Sequence, residues 1–530
     1  MKFVLCVLVF LIVAPLYAFQ SIVVLPFNNE SQKDEIYWLG EGFAESLSEE
    51  LLLKEAYVIQ RPERKAVYDA LHLPYSGDLS RATMLKIGEQ LSADYVVFGS
   101  FNLKENQLNA RAKVIKISSA KLSSLIQASG SLNNLYQIQA AVRDELKKYF
   151  ATEHLTPAAQ SSVEAQSVPL HAYELYIKGL LEPDDSGKIQ FFQRATDVLP
   201  SYAHATYRQG LALSRLGRYK ESNDCLKRLS FSGALRPKVD FMIGQNLYQL
   251  HDYDGAFQKW SELAKTDPSA EVNNNVAVAL MKKNDFQNSG WYLTQATTLD
   301  PAGEDYHFNL ALSYFQRKYD AQAIQQFREA LRYRPNDYQS LYMIAKILEQ
   351  QGNAYSKTVM LLFAEALPAD QKGKFPELYP SMMQILRAVP AFLSREEKQY
   401  LALSQANARK QREEYVKTYQ STARRHIEDE HPDQAIVEIH KGLMFAPFDW
   451  YLHYLWGRAL YDQRNLGAAV PQLGFSIWCA DNPDSHILLA EIYKDVEQYA
   501  DAKAQIQQCL ALDPKNKRAL DIWNKIWNKN

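Results

Sequence analysis

From His171 to the last residue, small and apolar side chains recur at helical spacing in paired runs, and the runs close near a proline. Gly244, Tyr253, Ala256, Trp260 and Pro268 mark one pair. Ala277, Leu280, Phe286, Leu293, Ala296 and Pro301 mark the next, and Leu310, Ala311, Tyr314, Ala323, Phe327, Ala330 and Pro335 a third. These prolines stand 33 and 34 residues apart. Each ends a second helix, because proline has no amide hydrogen to donate. Fainter copies lie at Phe192, Ala195 and Pro200, at Gly210, Gly217 and Tyr219, and at Ala345, Leu348 and Gly352. A second run restarts at Ala435 and Pro447, continues through Trp456, Gly457, Leu460 and Ala469, and ends with Leu489, Ala490, Tyr493, Tyr499, Ala502 and Pro514. Lys517 to Trp527 reads as a capping helix. No single pair buries its own apolar face, so the pattern predicts pairs stacked into an all-α solenoid.

Residues 19–151 show a different pattern. SIVVLPF at 21–27, AYVIQ at 56–60 and ADYVVFGSF at 93–101 are short β-branched runs, and KENQ reads as a hairpin turn into LNARAKVIKI. Leu39, Phe43, Leu47 and Leu51 share one helix face, and 61–71, 82–91 and 135–150 also carry helical periods. Mixed elements in this order predict a compact α/β domain. Residues 152–170, rich in Ser, Ala, Gln and Pro, read as a linker. The repeat register is lost again over 369–414, where Pro376, Pro380 and Pro390 follow Pro368 closely. An irregular helix pair is expected there, between a first arm at 171–368 and a second at 415–530.

Charge and termini refine this picture. Lys and Arg total 59 against 61 Asp and Glu, a net charge of −2, so the basic surplus of a general nucleic-acid binder is absent. At the start, Lys2 precedes an unbroken apolar run from Phe3 to Val13, and Ala18 offers a small residue before a cut. The run is shorter than the roughly 20 residues of a spanning helix. Residues 1–18 therefore read as a signal peptide, with an uncleaved anchor as the alternative. Export to the periplasm or cell envelope is expected, with or without peripheral attachment there. Cys225, Cys479 and Cys509 fall at apolar helical positions and read as buried thiols, with a Cys479–Cys509 bridge as the alternative.

Two resemblances sit on these residues. IVVLPFNN, WLGEGFAESLSEELL and LSADYVVFGSFNLKENQLNARAKVIKISSAKL together resemble the TolB-amino-terminal-like domain, across most of 21–125. The β-propeller that usually accompanies that domain is missing, so the resemblance implies a fold and no activity. The paired runs resemble the tetratricopeptide (TPR) repeat over about 340 residues. That resemblance implies a right-handed superhelix whose first helices line a concave face that takes protein or peptide partners.

Registering the pairs on their small residues places Tyr207, Phe241, Asn274, Phe308 and Tyr342 at equivalent positions. Tyr248 and Phe315 lie two turns further along their helices. An aromatic stripe exposed on that face would mark a partner groove. Its rival is that these rings fill the superhelix interior. Asn275 and Asn309 are equivalent in adjacent units, as in the asparagine ladders by which some TPR proteins hold peptide backbone, but two such residues also read as plain surface side chains. Tyr454, Arg458 and Tyr461 form a second patch with Tyr451 in the second arm.

No GxSxG, HExxH or phosphate-binding glycine loop occurs, and no cofactor is expected. HIEDEHPD, with His426, Glu428, Asp429, Glu430 and His431, reads as solvated charge at a turn rather than a metal site. The function expected is a non-catalytic exported scaffold. A ligand-sensing α/β domain with a TPR output arm and an envelope hydrolase with a site between the two domains are the alternatives.

Overall fold

The computed structural model describes residues 19–31, 33–54, 56–74, 78–157, 168–229, 233–368, 386–389 and 395–527; the apolar run at 1–18 lies outside them. The chain divides into two units, Met1–Val239 with Leu393–Ser404, and Asp240–Phe392 with Gln405–Asn530. Among the described residues no helix is long and apolar enough to cross a membrane.

In the first unit β1 (Gln20–Val24) lies between two parallel neighbours, β3 (Ala56–Ile59) and β4 (Tyr95–Lys104). A central strand covered on both faces reads as a continuous apolar run, which is why Ile22, Val23 and Val24 do not alternate with polar residues. β4 returns as antiparallel β5 (Gln107–Lys116), with Lys104 opposite Gln107 and Glu105 in the left-handed region at φ +53°. β7 (Ile126–Ser131) follows on β5, while β2 (Asn28–Asn29) and β6 (Lys121–Leu122) are two-residue additions. The sheet carries α1 (Trp38–Glu50) and α4 (Leu135–Thr152) on one face and α2 (Arg61–Ala70) and α3 (Arg81–Gln90) on the other.

The first helix pairs belong to the same core. In α5 (Leu170–Leu181) Tyr176 is buried with Leu47 and Phe43 of α1, and the Tyr173 hydroxyl donates to the Gly42 carbonyl at 2.5 Å. α6 (Asp185–Val198), α7 (Ala203–Arg215) and α8 (Tyr219–Lys227) stack onward from it. The stretch expected at 152–170 to separate α/β domain from helical array therefore does not separate two cores. Polar contacts reinforce the packing: Arg208 of α7 reaches the buried Glu45 carboxylate of α1 at 3.4 Å, and His204 pairs with Glu49 at 3.4 Å.

The second unit holds α9 (Arg236–Gln249) with α10 (Tyr253–Thr266), α11 (Ala270–Lys282) with α12 (Phe286–Leu299), α13 (Glu304–Gln316) with α14 (Asp320–Tyr333), and α15 (Tyr338–Gln350) with α16 (Ser356–Ala366). Small residues set the approach within each pair: a Cβ on Gly244 would lie 2.5 Å from Nε1 of Trp260. Each turn closes alike. The amides of Asp252, Asp285, Tyr319 and Asn353 donate to carbonyls five residues back, and His251, Asn284, Lys318 and Gly352 before them take positive φ.

Within 369–414, Leu386–Val389 is extended, not helical, and Arg395–Glu428 is a single 34-residue helix, α17. That helix runs straight through the boundary expected at 414/415. It is followed by α18 (Pro432–Leu443), α19 (Trp450–Asp462), α20 (Leu466–Cys479), α21 (Pro483–Asp495), α22 (Tyr499–Leu512) and the cap α23 (Lys517–Ile526). Cys225, Cys479 and Cys509 are free thiols, so no bridge links Cys479 to Cys509.

Candidate peptide groove

The groove is built on the first helices of successive pairs. Asn274, Asn275 and Asn309 are fully buried, although Asn275 and Asn309 also read as plain surface side chains in the sequence. What buries them is the chain's own extended segment Leu386–Val389. The Asn275 amide donates to the Val389 carbonyl at 3.0 Å, and its oxygen accepts the Val389 N–H at 2.8 Å. The Asn309 amide repeats this on Arg387, donating to its carbonyl at 2.9 Å and accepting its N–H at 3.0 Å. Asn274 adds a donor to the Arg387 carbonyl at 2.9 Å, and accepts from the Asn309 amide at 2.8 Å. A carboxamide offers a donor and an acceptor side by side, the mirror of one residue's C=O and N–H. The three asparagines therefore grip main chain, whatever its side chains.

The side chains of the segment are read separately. The guanidinium of Arg387 lies 3.5 Å from the centroid of the Phe308 ring. Its nitrogens reach Asp337 at 2.7 Å, the Gln339 amide oxygen at 2.7 Å and Asp305 at 3.2 Å. Asp337 is itself buried, and Ser340 holds its second oxygen at 2.5 Å. Burial raises the Asp305 carboxyl above its ordinary value, and the charges of Arg387 and Arg334 oppose that rise. Val389 packs with Ala270, Ala296 and Tyr306, and Leu386 lies against the larger core.

The expected aromatic stripe is not exposed. Phe241 packs against Trp260 with ring centroids 6.2 Å apart and planes tilted by 47°, Tyr342 lies 5.5 Å from Phe363, and Phe315 shares a core with Tyr342 and Phe363. Tyr248 is partly buried beside Tyr253 and Trp260. Rings at these positions fill gaps between neighbouring pairs, since no pair closes its own core. Phe308 alone among them carries the segment, through its contact with Arg387. Tyr207 lies in the first unit, half-buried, and is not part of this groove. In the second arm Tyr454 stacks on Tyr451 at 5.8 Å, Arg458 pairs with Asp462 at 3.1 Å, and the Tyr461 hydroxyl donates to Asp495 at 2.7 Å. The first two contacts stay within α19, only Tyr461 reaches a second helix, α21, and none of the three joins the asparagine site.

Sequence reading missed Arg387, Asp305, Asp337 and Gln339. One signal was present: Val389 precedes Pro390, and a residue before proline is pushed out of the helical region into extended backbone. Among the described residues no group of three or more His, Cys, Asp or Glu is placed to hold a metal.

A family model described as tetratricopeptide repeat matches residues 304–337, and a second of the same description matches 483–516. These are the pairs α13–α14 and α21–α22. A Drosophila melanogaster protein described as a BBSome complex member BBS4 homolog is 23% identical over 261 residues, 48% of this chain and 50% of its own length. The chain thus spans half of that relative, and its assembly is not carried over. Similar solved structures include MamA (16% identity, TM-score 0.29, 31% of this chain and 97% of that one). YrrB, titled a TPR protein with an unusual peptide-binding site, is also 16% identical, with TM-score 0.29 over 34% of this chain and 92% of its own. Both family matches fall on single helix pairs whose packing and turns recur along the chain: the protein carries tetratricopeptide repeats in a helical array that follows an α/β domain.

Proposed function

We propose that this protein is an exported, non-catalytic interaction scaffold whose first helical arm takes an extended segment of a partner protein in its groove. The observation that carries the reading is the paired-amide grip of Asn275 and Asn309 on the main chain of Val389 and Arg387. Side chains that bond backbone in both directions, at no cost in side-chain identity, are what a receptor for extended peptide needs. Export rests on the apolar run from Phe3 to Val13, and the α/β unit is read as a second contact or assembly surface.

Displayed random peptides selected on the full chain test the groove. The expected winners lose about tenfold or more in affinity when Asn275→Ala and Asn309→Ala are combined, since buried partners are left unpaired. Winners indifferent to both asparagines would remove the groove from the function. Fractionation of cells making the tagged chain, with the mass of its mature N-terminus, tests export; full-length product in the cytoplasm would remove it.

A further inference from the structure

We propose that Leu386–Val389 is a resident competitor, and that the partner it holds off is an extended segment carrying an arginine followed two residues later by a valine-sized aliphatic side chain. This rests on the groove reading above and adds to it a specificity and a brake. The backbone grip by itself is indifferent to sequence, so selectivity lies in what surrounds the side chains. The guanidinium is enclosed, with its side chain 10% exposed, between one aromatic face, two carboxylates and an amide oxygen. Only a planar fork meets Asp305, Asp337 and Gln339 together while lying flat on Phe308; a lysine ammonium presents a point charge and loses that match. The Asp337 carboxylate, buried and held by Ser340, is left without its cation when arginine is absent. Leaving a buried charge unpaired penalises the wrong ligand more than the pair rewards the right one. Val389 adds a shallower requirement through Ala270, Ala296 and Tyr306.

The brake follows from connectivity. A ligand on the same chain is present at an effective concentration on the order of millimolar. A partner segment with the same arginine must exceed this before it occupies the groove. Either a second binding contact or release of the resident segment therefore gates capture, and the empty groove is the competent form.

A fluorescent peptide with the sequence MQILRAVPA, residues 383–391, is titrated against the full chain and against the full chain carrying Arg387→Ala. Polarisation is expected to show binding at least about tenfold tighter to the Arg387→Ala chain. On that chain, peptides with lysine or alanine in place of the arginine are expected to bind at least about tenfold more weakly. Equal binding of the arginine and alanine peptides would overturn the specificity while leaving the backbone groove standing. Equal binding by the two chains would overturn the brake. Binding to neither chain would overturn the groove reading itself. Hydrogen exchange on the unmodified protein covers the case in which Arg387→Ala fails to fold. The Arg387 and Val389 amides should be protected, and excess peptide should speed their exchange; amides already exchanging freely would overturn the resident-segment claim. Light scattering separates the remaining occupant, because a dimer that disappears with Arg387→Ala would place a second copy's segment in the groove and overturn the intrachain brake.

Discussion

At the scale of single residues, the asparagines show why burial is not legible from polarity. Asn275 and Asn309 sit in helices at positions that also read as solvent-facing, yet they, like Asn274 beside them, have no exposed surface. Their partner lies 78 to 114 residues away in sequence. Equivalence between adjacent repeats was visible; the ligand was not, because nothing local in a helix announces what covers it. Asn275→Ala removes three hydrogen bonds, one of them from the Asn274 amide, and leaves the N–H and C=O of Val389 facing a gap. A loss of about 1–3 kcal/mol is expected, read from denaturant unfolding. No change in midpoint would mean that water replaces the amide without cost.

At the scale of elements, the repeat was legible in its spacers and illegible in its polar wiring. Prolines and small residues announced the pairs, because they act locally on hydrogen bonding and close approach. A second periodic device went unread. His307 lies between the Pro301 carbonyl and Gln326, His453 between the Pro447 carbonyl and Gln472, and His486 between Asp481 and Gln505. Each histidine is on a first helix and its glutamine 19 residues on, in the second. Each imidazole sets Nδ1 against the glutamine carboxamide and Nε2 against an oxygen just before its own helix, so each pair buttons two helices together. Burial holds the His453 imidazole below its ordinary 6.5, against the smaller opposing pull of its two hydrogen bonds and Asp449. The unfolded imidazole takes up a proton more readily than the folded one. The stabilising contribution is therefore complete above 6.5 and is lost as pH falls toward the depressed folded value. Thermal melts from near neutral to about pH 5 should show a declining midpoint whose slope is shallower in His453→Leu. An unchanged slope would place the acid sensitivity elsewhere.

At the scale of the whole molecule, the division read from composition and the division in space differ. The linker was visible as a low-complexity stretch; that α5 packs on α1 was not, since Tyr173 and Tyr176 look like any repeat aromatics. A fragment ending at residue 157 would strip Tyr176, Leu175 and Phe192 from a core they share with Phe43 and Leu47. It should melt lower than a fragment ending at 229 and bind a hydrophobic dye. Equal melting would mean the sheet and its helices are self-sufficient. In the second unit, Asn275 and Asn309 are 34 residues apart, one repeat, yet they clasp residues 389 and 387. One step up the array thus moves two residues back along the peptide, the pleat period of a strand. The array is a ruler graduated in dipeptides and read in reverse. From α9 to α15 it has two such marks, because the equivalent places on α9 and α15 are Met242 and Met343, which lack the amide. A carboxamide at either place would add a mark, so the length of sequence this protein can read is set one methionine at a time.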